Sequence, residues 1–338
     1  MKPLKYLFIS SMLFVATSCG NSWLDLEPST SVDTETSIKI LSDVEFTLNG
    51  IYSTMQSSDA YSGRLVYYGD VTGDDMQAVS STKRVANYYC FNFTKDDNPS
   101  SHWSYLYSII QNCNLILMNI DKLVIDEDDK AYRDDLKGEA LAIRGLALFD
   151  LTRIFGYPYL KDDGASLGVP IIEGLSTIDS KPTRNTVAQC YTKIIDDLTQ
   201  SLAKNTYDNF CKEYFSLLGE KFNKGKINKW GAMVLLSRVY LYKGENANAL
   251  KMASDAIIGA EKNKYALWTN EDYPTAWGED ASASKPGEGL VEIVNLTTDS
   301  PGKESMGYLN SYDGYDDMCI TCSFYQFLKE DPKDIRLK

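Results

Sequence analysis

Between residues 134 and 155 the apolar side chains recur at intervals of three and four residues, the spacing that places them on one face of an α-helix. Gly138, Ala142 and Gly145 lie inside this segment, although a glycine within a helix costs about 1 kcal/mol relative to alanine. Because small residues let a neighbouring helix approach closely, we expect another helix to pack against this one. The apolar stripe consists of Leu136, Ala140, Ile143, Ala147, Leu151 and Ile154.

A second helical pattern covers residues 227–242 and 247–260, with a turn at Gly244. The two segments match the tetratricopeptide unit, in which a leucine and a tyrosine of one helix pack on alanines of the next. The matched positions are Leu236, Tyr240, Ala249 and Ala256. One unit cannot bury its own apolar face, so the preceding helices should stack on it, and a lone helical hairpin is the alternative. The predicted fold is mostly α, with tetratricopeptide-like helical repeats and long irregular loops.

The amino terminus has the organisation of a bacterial lipoprotein precursor. Residues 1–18 combine two lysines, an apolar stretch and a small-residue end, and Cys19 follows at once. The apolar stretch is shorter than the about 20 residues that span a bilayer, so we expect a cleaved signal peptide and acyl chains on Cys19. An ordinary secretory signal is the alternative. The predicted organisation is a signal peptide at 1–18, a tether at 19–42 and a helical-repeat domain at 43–338.

Charge and residue types exclude several classes of function. The chain has 47 acidic and 34 basic residues and a formal net charge of −13, which argues against nucleic acid as a partner. The only histidine, His102, leaves little room for histidine-based catalysis, and we expect it at the surface or as a helix cap. Cys319 and Cys322 lack the setting of a redox motif or a zinc site. We therefore predict no metal and no cofactor.

Several segments spread over nearly the whole chain carry a family resemblance. The most specific is GEALAIRGLALFDLTRIFG at residues 138–156. The others are WLDLEP at 23–28, LNGIY at 48–52, a helix led by Trp103 with Tyr107, Ile110 and Asn114, PTRNTV at 182–187 and KWGA at 229–232. In order and spacing they resemble the RagB/SusD family, the nutrient-binding outer-membrane lipoproteins of the Bacteroidota.

The resemblance implies a binding protein and not an enzyme. Members of this family lie on the outer leaflet of the outer membrane, attached by their lipid and facing outward. They capture glycans, or in some cases peptides, and deliver them to a SusC-like TonB-dependent transporter. Members also continue beyond the segment that residues 331–338 resemble, so we expect this chain to be C-terminally incomplete.

Loop aromatics are the candidates for ligand contact. Sugars present apolar faces and polar edges, so their binders combine aromatic rings with amide, carboxylate or hydroxyl groups. Mixtures of this kind occur around residues 87–92, 265–277 and 308–315, and Gly307 and Gly314 favour the third as an exposed, turning loop. For each aromatic, packing in the core is the alternative. The predicted ligand-binding residues are Tyr88, Tyr89, Trp268, Trp277, Tyr308 and Tyr312.

Two other functions stay open at this point. A glycoside hydrolase needs two carboxyl groups across a cleft, and the adjacent pairs Asp74-Asp75 and Asp316-Asp317 are the candidates, although such pairs are more often solvated surface. A helical-repeat lipoprotein that binds peptides or proteins through a concave surface is the second.

Overall fold

The structure is a computed structural model that describes residues 37–94, 100–177, 179–204, 225–276, 287–295 and 302–337. Residues 40–338 form one unit. Of the separate unit at residues 1–39, only residues 37–39 are described, and they contain no helix or strand. The predicted signal peptide, Cys19 and most of the predicted tether lie outside the described residues.

The described residues are mostly helical, as the periodicity predicts. The long helices are α1 (Leu41–Met55), α4 (Ser100–Asn119), α5 (Lys130–Phe155), α6 (Val187–Lys204), α7 (Lys229–Lys243) and α8 (Asn246–Lys262). The shorter elements are α2 (Arg64–Thr72), β1 (Met76–Ala78), α3 (Ala86–Tyr89), α9 (Tyr273–Ala276), α10 (Met306–Asn310), β2 (Met318–Ile320) and α11 (Cys322–Lys329). No described helix is long and apolar enough to cross a membrane.

Helix α5 is the centre of the helical scaffold, packed against α4 and α6. Its small residues permit the close approach that the sequence predicts. A Cβ atom added to Gly145 would lie 3.1 Å from Leu198 Cγ of α6, and the Ser201 hydroxyl donates a hydrogen bond of 2.6 Å to the carbonyl of Gly138. Glycines therefore let α6 lie directly against α5.

The tetratricopeptide-like pair forms helices α7 and α8. Gly244 ends α7 with a φ of 86°, a conformation that glycine adopts without strain, and the Asn228 side chain caps its start by accepting from the Gly231 N–H at 2.9 Å. Leu236, Ala249 and Ala256 are buried, in agreement with the predicted match, and Tyr240 is half-buried. Helix α7 also packs on α6, so the pair continues the stack of helices.

A further hydrophobic cluster lies beside helix α4, where Tyr68 packs on the cluster and contacts His102. It is built on the antiparallel pairing of β1 with β2, in which Gln77 lies opposite Cys319. Its buried members are Tyr67, Val71, Val85, Tyr88, Leu309 and Met318. We call residues 64–93 and 302–320, which surround this cluster, the ribbon lobe.

His102 is buried, and the expectation that it lies at the surface is wrong. Only 1% of the residue is exposed, because the Tyr68 ring lies 5.8 Å from the imidazole and the Asp59 carbonyl lies 3.1 Å from Nδ1. Burial lowers the pKa of His102, so the imidazole is a neutral packing group beside the ribbon lobe.

Candidate functional site

The β1–β2 pairing brings together two of the three aromatic regions that the sequence predicts. The Val79 N–H donates to the Asp317 carbonyl at 3.2 Å, and the Lys83 ammonium donates to the Tyr315 carbonyl. Residues 79–93 and 302–317, more than 200 positions apart in sequence, therefore lie on one lobe. Loops held on a packed cluster can present side chains in a fixed arrangement.

The first segment presents a group of contacting aromatic rings. Tyr88 is buried, with its ring 5.3 Å from Tyr68 in an edge-to-face arrangement and 6.0 Å from Phe93. Tyr89 is exposed, and Phe91 is 64% exposed and contacts Phe93 edge to face. Phe91 has a φ of 52°, a conformation that costs energy for a bulky residue. The fold thus holds a phenylalanine ring in solvent next to a buried tyrosine.

The second segment presents tyrosines. Tyr308 lies in α10, capped by the Ser305 hydroxyl, and its half-buried ring lies 5.2 Å from Tyr315. Gly307 is inside this short helix, so the turning loop predicted at Gly307 begins only after Asn310. Tyr312 in that loop is 88% exposed.

Arg84 connects the two segments. Its guanidinium carbon lies 3.9 Å above the centre of the Tyr315 ring, its Nη1 lies 3.0 Å from Glu304, and its Nε lies 3.4 Å from Asp317. Asp317 is buried. Burial also raises the pKa of nearby Tyr67 to about 12, so this phenol stays neutral at the base of the lobe. Arg84 was not among the predicted site residues, because its partners are 220 or more positions away.

The third aromatic region lies elsewhere in the chain. Trp268 is half-buried, its indole ring packs against Gly287, and its backbone N–H donates to the Glu288 carboxylate at 3.2 Å. Its described contacts are therefore to a segment that is not part of the ribbon lobe. Trp277, predicted beside it, lies outside the described residues. The structure brings Tyr88, Tyr89, Tyr308 and Tyr312 onto one lobe and does not bring Trp268 there.

The acidic pairs lie at opposite ends of the ribbon. The Asp75 carbonyl accepts from Thr321, and the Asp317 carbonyl accepts from Val79, four residues further along the strand. Four residues of strand separate the backbones of the two pairs by about 13 Å, whereas the two carboxyl groups of a glycoside hydrolase lie roughly 5 to 10 Å apart. No group of three potential metal ligands occurs in the described part of the chain.

Comparison with known sequences identifies a family over most of the chain. Residues 22–241 match the SusD-like family described as starch-binding and associated with the outer membrane. A SusD-like protein of Formosa agariphila, P2, is 29% identical over 322 residues. The match covers 92% of this chain and 56% of that protein, so the chain spans little more than half of that relative's length.

Solved structures have the same fold. A Bacteroides vulgatus protein provisionally described as sugar binding is 77% identical, with a TM-score of 0.83 over 89% of this chain and 65% of that one. A SusD superfamily protein of Bacteroides vulgatus is 36% identical, with a TM-score of 0.78 over 88% of this chain and 64% of that one.

Proposed function

This chain belongs to the SusD-like family, and from that premise we propose that it captures glycans through the aromatic side chains of the ribbon lobe. The family is one of carbohydrate-binding proteins associated with the outer membrane. The mechanism is stacking of aromatic rings on the apolar faces of sugars, with hydrogen bonds to their hydroxyl groups. Capture of this kind requires no covalent chemistry and no cofactor.

One observation supports this proposal above the others: exposed aromatic side chains lie on the surface of the ribbon lobe, whose interior is a packed hydrophobic cluster. Phe91 and Tyr312 have more than half of their surface exposed, whereas Tyr88 is buried among the residues that position them. We therefore propose Tyr89, Tyr308 and Tyr312, with Phe91, as the contacts to the sugar. Tyr88 would act by supporting the lobe.

We further propose that delivery follows capture. Acyl chains on Cys19 would attach the chain to the outer face of the outer membrane, and a SusC-like TonB-dependent transporter would receive the glycan. Protease treatment of intact cells tests the orientation, because cleavage of the protein without lysis is expected only for a chain that faces outward. Co-purification with a transporter in detergent tests the partner.

Affinity electrophoresis of the full chain through gels that contain different polysaccharides tests glycan capture. We expect one or more polysaccharides to slow migration, and the double variant Tyr308→Ala and Tyr312→Ala to abolish the effect. Tyr157→Ala is the matched control, because Tyr157 is exposed but lies outside the ribbon lobe. Uniform mobility of the folded wild type on every gel would contradict the proposal and favour a peptide ligand.

Hydrolysis is the alternative that needs its own assay. Partial burial and the neighbouring charge of Asp75 raise the pKa of Asp70, which is the direction that a general acid requires. We expect no release of reducing ends when purified protein is incubated with a polysaccharide that it binds. Release that Asp70→Asn abolishes would show catalysis.

A further inference from the structure

The charges of the ribbon lobe bear on which glycans it accepts. Residues 64–93 and 302–320 contain seven acidic and four basic residues, a net charge of −3. Arg64 is paired with Asp59 at 2.8 Å, and Lys83 donates to a backbone carbonyl. The lobe therefore offers little positive potential to an approaching anion.

Arg84 lies over the Tyr315 ring, and it has two carboxylate neighbours. Glu304 accepts from Nη1 through both of its oxygens, at 3.0 and 3.2 Å, and Asp317 lies 3.4 Å from Nε. Together the three groups have a charge of −1. The guanidinium carbon lies 3.9 Å above the centre of the Tyr315 ring, so the positive charge lies next to this ring and beside both carboxylates.

We propose that the ribbon lobe selects uncharged glycans and rejects those that carry carboxylate or sulfate groups, because Glu304 and Asp317 neutralise Arg84. This inference rests on the proposed function. A neutral sugar stacks on the rings without an electrostatic penalty, whereas an anionic group next to Arg84 meets two carboxylates at close range. Lys303, with its ammonium 6.0 Å from the centre of the Tyr308 ring, is a further cation of the lobe, and the net charge of −3 already includes it.

Glu304 is the residue to change, because it is 41% exposed and lies in a surface turn, so Glu304→Gln should fold normally. The variant keeps an oxygen that can accept from Arg84 but removes one negative charge. The matched control is Glu127→Gln, which removes the same charge from an exposed carboxylate paired with Lys130, far from the lobe in sequence and on the helical scaffold.

The experiment compares a neutral polysaccharide that slows the full chain with the carboxymethylated derivative of the same polysaccharide. We expect the wild type to bind the derivative at least about threefold more weakly, and Glu304→Gln to bind the derivative about threefold to tenfold more tightly than the wild type. Affinity for the neutral form should change by less than about twofold. Glu127→Gln should behave as the wild type with both polysaccharides.

The dependence of this discrimination on salt concentration provides a second measurement. The Debye length falls from about 10 Å at 0.1 M to about 3 Å at 1 M, so the discrimination of the wild type should shrink over this range. Equal binding of both polysaccharides by the wild type, or the same response from Glu304→Gln and Glu127→Gln, would overturn the inference while glycan capture stands. Failure to bind any neutral polysaccharide would overturn both.

Discussion

Arg144 lies inside the helical scaffold and holds a long loop to it. Its guanidinium donates to both oxygens of Asp197, at 2.6 and 2.8 Å, and to the Asn114 side chain at 2.8 Å. The Asn114 amide in turn donates to the carbonyls of Ile172 and Gly174. A buried charge pair of this kind fixes geometry more than it adds stability, since both charges lose their hydration.

The pairing of Arg144 with Asp197 leads to a prediction about the free energy of unfolding. Asp197→Asn should lower the free energy of unfolding by about 3–5 kcal/mol, because it leaves Arg144 charged and buried without its counter-ion. The double variant Arg144→Met and Asp197→Leu should lose less than the single variant, since neither charge of the pair is then buried and Lys193, which also contacts Asp197, keeps its pairing with Glu173. Urea denaturation of the three proteins measures the difference. Equal losses in the single and double variants would contradict this account.

Glu139 is a second buried ionisable residue in α5, and we expect it to make the stability of the fold depend on pH. Burial raises its pKa above the ordinary 4.5, although the Lys226 charge and a 2.5 Å hydrogen bond from Tyr52 act in the opposite direction. The folded protein therefore binds this proton more tightly than the unfolded chain, so its contribution to stability is present below pH 4.5 and is lost as pH rises through the folded-state pKa.

Glu139→Gln should remove this contribution to the pH dependence. Between the unfolded-state and folded-state pKa values, the wild type should lose stability relative to the variant as pH rises. Glutamine can still accept from Tyr52, so the geometry should be kept. Thermal unfolding at a series of pH values provides the measurement. A difference between the two proteins that does not vary with pH would show that Glu139 does not titrate in this way.

Glycines within helices have different roles that two substitutions separate. Gly145→Leu should lower the free energy of unfolding by about 1–3 kcal/mol or more, because its side chain would enter the space of Leu198 in α6.

Gly50→Ala in α1 should raise the free energy of unfolding by up to about 1 kcal/mol, since a Cβ there meets no atom within 4 Å and alanine favours the helix. Denaturant unfolding measures both, and destabilisation by Gly50→Ala would contradict the helix-propensity argument.

The helices of the scaffold could be predicted because the residues that determine each helix are close together in the sequence. The spacing of apolar residues places α5, and the leucine, tyrosine, alanine and glycine positions place α7 and α8. The ribbon could not be predicted in the same way. β1 and β2 are three residues long and about 240 positions apart, so no local period indicates that they pair. Tyr88 is buried in the same cluster as Met318 of β2, so its burial depends on that pairing and does not follow from the aromatic composition of the loops.

The ribbon lobe and the helical stack have separate sources of stability. The stack is held by helices that pack along their length, whereas the lobe depends on one small hydrophobic cluster and a short ribbon. A region with few buried contacts opens at lower free energy than a large core. The aromatic platform could therefore be lost while the helices remain folded.

Met318 tests this separation, because it is buried in the cluster from strand β2. Met318→Ala should destabilise the lobe by about 2–5 kcal/mol and raise hydrogen exchange in residues 64–93 and 302–320 more than in α5. Leu151→Ala, at a buried position near the end of α5, should raise exchange in the helical stack as well. Exchange followed by mass spectrometry, together with affinity electrophoresis, distinguishes the outcomes. If Met318→Ala raised exchange equally in both parts, the molecule would unfold as one unit, and glycan capture would then depend on the stability of the whole chain.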